Sequence, residues 1–172
     1  MNLVVSSCGL ATAELLRARF GTPWVAGVPI GEKFPALLAD ALREAVKSGA
    51  NALPCSDRAF SAQDPVPTVI GEAVFSGSLA KAIELDAGRP CRVLCPLEAD
   101  DRLLAPGDLR IADEDAAADA FAHASCVIAD PMYAPVCPAD TTFLRLPHEA
   151  FSGRCYRKES LNLINRPLPW RL

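Results

Sequence analysis

Two histidines, seven cysteines and a scatter of carboxylates are the residues of this 172-residue chain that could carry chemistry. His148 is the sharpest of them. It closes an apolar run at 142–147 and opens a polar one, so that His148, Glu149, Ser152 and Arg154 fall within seven residues. Neutral imidazole is the commonest protein ligand for transition metals and a natural acid or base near neutral pH. The same spacing also suits an ordinary loop or helix-capping histidine. His123 falls at the end of a predicted helix, where a cation complements the macrodipole, and reads as structural. The cysteines stand at 8, 55, 91, 95, 126, 137 and 155 with no Cys-x-x-Cys pair, and several lie in apolar runs. That usage suits free, buried thiols in a reducing compartment.

A glycine-bearing stretch, Gly71-Glu72-Ala73-Val74-Phe75-Ser76-Gly77, lies between a predicted strand and a predicted helix, where backbone amides can hold an anion. It matches neither the dinucleotide nor the phosphate-loop fingerprint. The plainer reading is a β-α turn with Ser76 as helix cap, and no nucleotide is expected. No G-x-S-x-G elbow is present to expose a serine nucleophile.

The elements that must position these groups follow from periodicity. Short apolar runs at 2–5, 24–28, 67–73, 92–97, 126–131 and 142–147 read as strands. Between them, 12–20, 34–47, 79–87 and 113–123 read as helices, the second with an amphipathic stripe over Leu37, Leu38, Ala41, Leu42, Ala45 and Val46. Apolar strands separated by helices require a buried parallel sheet with right-handed crossovers. The predicted class is α/β: a Rossmann-like, three-layer α/β/α unit at 67–172, preceded by a partial β-α-β-α unit at 1–50 and a proline-marked linker at 51–66. In such sheets ligands sit outside the carboxyl ends of the strands.

Bulk composition narrows the partners. Hydrophobic residues make up 51% and charged residues 22%, values of a folded chain. A net charge of −4 and an aromatic content of 6% argue against a nucleic-acid surface or a base-stacking platform. No run of about 20 apolar residues is available to span a membrane, and no signal segment is evident, so a cytoplasmic protein is expected.

Two segments resemble one family. Asn2-Leu3-Val4-Val5, then Leu15 to Phe20 with Gly21-Thr22-Pro23-Trp24, then Pro29-Ile30-Gly31, is similar to the middle-domain stretch of nitrogenase component 1 type oxidoreductases. Phe143-Leu144-Arg145-Leu146-Pro147-His148, followed by Ser152-Gly153-Arg154, resembles the histidine-then-Ser-Gly segment near the end of the molybdenum-iron α subunit. The resemblance implies a C-terminal region of a longer protein that forms one wall of a metal-cofactor or substrate cavity. It implies His148 as a cluster ligand or proton donor, with Ser152, Arg154, Glu72 and Gly31 lining the cavity. The family's cysteine ligand falls near Val5 or Ser6, and Cys8 is the nearest thiol. An iron–sulfur or other iron-containing cluster in the full-length protein is then expected. The implied partners are N-terminal domains or a homologous subunit, an ATP-dependent reductase, or a second copy of the chain. Two other readings stay open: a non-catalytic scaffold for a metal cluster, and a small-molecule-binding α/β domain without a redox role.

Overall fold

A computed structural model of the chain describes residues 1–58 and 65–172. Two parallel sheets share one helix. The first sheet holds β1 (Asn2–Val4) and β2 (Trp24–Ala26), joined by α1 (Leu10–Phe20) and followed by α2 (Phe34–Ser48). The second is a five-stranded, all-parallel sheet of β3 (Pro67–Ile70), β4 (Arg92–Cys95), β5 (Leu109–Arg110), β6 (Cys126–Ala129) and β7 (Thr142–Arg145). Its spatial order is β5-β4-β3-β6-β7. The expected α/β, Rossmann-like layout is therefore present.

Alternation along the strands shows how the layers form. Val69, Val93 and Ile128 belong to a core cluster with α3 (Ala73–Ala87). Their neighbours Ile70, Leu94 and Val127 belong to another with Ala117 and Phe121 of α4 (Glu114–Phe121). Successive side chains point to opposite faces of a strand, so α3 and α4 cover opposite faces of the sheet. The α3 cluster also takes in Val4, Trp24 and Ala26 of the first sheet, while Val25 packs with Leu38 and Ala45 of α2. Helix α3 thus lies between two sheets. Ten of its fifteen residues are buried, which explains why it carries no single apolar stripe.

Its start differs from the sequence expectation. The pattern places the helix at 79–87 with Ser76 as cap, but α3 begins at Ala73 and its cap is Glu72. The reason is steric as much as electrostatic. Ser76, Gly77 and Ser78 are small enough to run between two sheets, and a Cβ on Gly77 would stand 3.0 Å from the Cys55 carbonyl oxygen.

The segment expected as a linker is partly built into the fold. Ala52 bridges to Val25, and the Asn51 side-chain Oδ1 accepts from the Trp24 amide. Cys55 is fully buried, and residues 59–64 of that linker lie outside the described residues. Arg58 ends the described part in a buried ion pair with Asp108, at 2.6 Å. At the other end of the chain, Leu163 is buried and Ile164 bridges to Ile30, so the proline-broken tail crosses the surface of the α3 core. Among the described residues no helix is long and apolar enough to cross a membrane.

Candidate functional site

Strand order locates the site. From β3 the chain crosses to β4 on one side, while β6 and β7 lie on the other. The carboxyl ends of β3 and β6 therefore flank the point where the winding direction reverses, the place where open α/β sheets leave a crevice. A recess of about 140 Å³ occupies it. Ile70, Gly71 and Glu72 come from the β3 exit, Phe75 and Ser76 from α3, Asp130 from the β6 exit, and Leu146, Pro147 and His148 from the β7 exit. Phe151 and Leu161 complete its wall.

Glu72 decides the electrostatics. Its Oε1 accepts from the Val74 amide at 3.1 Å and its Oε2 from the Phe75 amide at 2.9 Å, so the carboxylate fills the anion-seeking end of its own helix. The Ser7 amide also donates to Oε1, at 2.7 Å. That bond fastens the β1 exit, with its 3-10 turn at Ser7–Gly9, to the start of α3. Asp130 does similar work on the far side. Its Oδ1 accepts from the Met132 amide at 3.0 Å and its Oδ2 from the His148 amide at 2.8 Å, which fixes the β7 exit against the β6 exit. Both carboxylates are thus held by backbone donors, and among the described residues no lysine or arginine lines the recess.

The His148 ring lies edge-on to Phe75, centroids 6.2 Å apart, and to Phe151 at 5.5 Å. Phe151 in turn meets Tyr133 and forms the wall of a second recess of about 240 Å³, shared with Pro96, Ile111, Asp113, Glu114 and Met132. Burial is the main cause of the upward push on the Tyr133 hydroxyl, with Asp130 and Glu114 adding to it.

Ser76 is the residue that sequence reasoning missed. It is only 1% exposed, and its Oγ has no hydrogen-bond partner among the described residues. The hydroxyl sits so close to the β3 exit that a Cβ on Gly71 would come within 2.7 Å of it. Read as a helix cap, Ser76 looks satisfied; inside the first turns of α3 it is not.

The sequence candidates separate into groups. His148 and Glu72 line the recess together. Cys8 is exposed and follows directly on Ser7, and its Sγ lies 3.3 Å from Ser6 Oγ. Ser152 is buried in α5 (Glu149–Ser152), its amide donating to the His148 carbonyl, and it faces its own turn rather than the recess. Arg154 is exposed beyond that turn. Gly31 stands at the opposite end of α3, where its φ of 79° and its closeness to Asp86 leave no room for a side chain. Among the described residues no group of three or more His, Cys, Asp or Glu side chains is placed to hold a metal ion, so a cluster here would need donors from beyond them.

The buried thiols are unreactive by environment. Desolvation pushes Cys55 up to about 12 and Cys91 further still, and it raises Cys95, Cys126 and, only half-buried, Cys137 as well. None of these is a poised nucleophile. Compared with protein-family models, curated proteins and solved structures, the chain has no significant match.

Proposed function

We propose that this chain supplies one wall of a ligand or cofactor cavity in an oxidoreductase of nitrogenase component 1 type, working in the cytoplasm. The observation that carries the reading is the Ser7–Glu72 hydrogen bond. It ties the loop bearing Cys8 to the same helix end that lines the recess bearing His148. The two candidate metal ligands, 140 residues apart in sequence, therefore flank one junction. Each would contribute a single donor, with the others coming from a partner chain or domain. Among the described residues strand β1 pairs on one side only, with Met1, Leu3 and Val5 exposed, so a homologous subunit has an open sheet edge and an apolar face to meet. An ATP-dependent reductase would be the electron donor of such an assembly.

The test is elemental analysis and visible absorption of the full-length protein isolated without oxygen. Bound iron that is lost in His148→Ala and reduced in Cys8→Ser is the expected result. An iron-free protein, with neither substitution altering any spectrum, sinks the redox role. A second reading, a small-molecule-binding domain without redox chemistry, is favoured by the apolar and aromatic part of the recess wall and by the lack of a complete donor set among the described residues.

A further inference from the structure

We propose that the recess between the β3, β6 and β7 exits binds a single six-membered ring, neutral or cationic, that presents N–H or O–H donors. The inference names the ligand class of the site proposed above, and it rests on that reading only in taking the recess for a binding site. Size sets the first limit. A recess of about 140 Å³ compares with the ~150 Å³ apolar cavity that takes up benzene. Ile70, Phe75, Leu146 and Phe151 give it an apolar, partly aromatic wall that suits a ring edge or face.

Charge sets the second limit. Glu72 and Asp130 present carboxylates, no lysine or arginine among the described residues lines the recess, and the Val74 and Phe75 amides at the start of α3 are already taken by Glu72. A phosphate or carboxylate entering here would meet like charge and find the helix-end amides that usually receive an anion already held by Glu72. A group that donates meets carboxylate oxygens with lone pairs to spare, since Oδ1 and Oδ2 of Asp130 each hold one amide.

Ser76 supplies the independent sign of a ligand. A buried hydroxyl without a partner costs stability, and native structures rarely leave one so. At 1% exposure, with its Oγ unpartnered at the wall of the recess, Ser76 is a polar contact awaiting its counterpart.

The experiment titrates phenol, 2-aminopyridine, benzoate and inorganic phosphate into the metal-free full chain, followed by two-dimensional NMR. Phenol and 2-aminopyridine are expected to shift the amides of Gly71, Ser76 and His148 and to compete with each other. Benzoate should bind at least tenfold more weakly than phenol, and phosphate should leave these amides unmoved. Ser76→Ala should weaken phenol two- to tenfold while leaving the melting temperature unchanged or raised, because an unpartnered hydroxyl is removed. A merely structural serine would lower the melting temperature and leave phenol affinity alone. Leu161→Trp, at the rim, should abolish binding of both rings. Benzoate binding as well as phenol, full phenol affinity in Ser76→Ala, or no ring binding at all would overturn the proposal. Since the titration uses no metal, a failed iron assay does not prejudge it, and an iron-bearing protein that rejects both rings would keep the redox role and lose this inference.

Discussion

Replacing Asp108 is the most demanding test of how the fold is held. The Asp108 and Arg58 side chains are 0% and 2% exposed. Arg58 donates to both carboxylate oxygens and to the Cys55 and Cys91 carbonyls, while Asp108 also accepts from the Val93 and Ala105 amides at 2.8 Å each. Every hydrogen bond to Asp108 comes from a donor. Asp108→Asn therefore cannot act as a conservative change, because its NH₂ must face a guanidinium or a backbone N–H. Removing one partner of a buried pair costs about 3–5 kcal/mol, a large share of the roughly 5–15 kcal/mol that holds a domain. With a urea dependence of about 2 kcal/mol per molar, the unfolding midpoint should fall by about 2 M in both Asp108→Ala and Asp108→Asn. Fluorescence of Trp24 and Trp170 reports the transition, and the loss should hardly change with added salt, since the pair is shielded from solvent. An Asn variant that unfolds within about 0.3 M of the wild type, less than ~1 kcal/mol at that dependence, would refute the all-donor account.

Three further outcomes are expected. In a native thiol titration Cys8 and Cys155 react first and Cys137 more slowly, while Cys55, Cys91, Cys95 and Cys126 stay protected until denaturant is added; early labelling of Cys55 or Cys91 would contradict their burial. Glu72→Gln places an NH₂ among three backbone donors, so it should cost about 1–2 kcal/mol and speed amide exchange at Ser7; unchanged exchange at Ser7 would show that the β1 exit is held by something else. Arg102, through its hydrogen bonds, holds Asp100 down at about 2, below its unfolded value, so the pair adds stability above the ordinary aspartate range that is lost as pH falls through about 2. The Asp100 side chain is 35% exposed and its Arg102 partner 51%, so the effect should be small and salt-sensitive, and Asp100→Asn should flatten the acid limb of a stability–pH curve.

Much of the sheet was legible because its strands are buried on both faces and read as unbroken apolar runs. Val69-Ile70, Val93-Leu94 and Val127-Ile128 needed no alternation to be recognised. Strand β5 was not legible, since Leu109 and Arg110 are both exposed and pair along one edge only. The early turns of α3 were hidden for a different reason. Ser76-Gly77-Ser78 has the composition of a loop, and only packing between two sheets makes small residues the right ones for a helix. For the site, strand-end logic found Glu72 and His148, because position along a parallel strand is visible in sequence. It could not separate them from Gly31, which lies at the far end of α3, and the resemblance that implied Ser152 could not show that it turns into its own short helix; both distinctions depend on where helices lie in space. The unpartnered state of the Ser76 hydroxyl has no sequence signal at all.

The first β-α turn of the five-stranded sheet shows why its geometry does not carry its usual chemistry. In dinucleotide-binding sheets the corresponding turn keeps its amides free, and a pyrophosphate completes the helix end. Here Glu72 completes it from within, and the same carboxylate holds the Ser7 amide across from the other sheet. A phosphate could enter only by displacing Glu72, which would break the helix cap and release the β1 exit together. The crevice is thereby closed to the ligand that its topology suggests and left open to one that donates hydrogen bonds. One acidic residue at a helix cap joins the two sheets and, by the same contacts, sets the sign of charge that the site can accept.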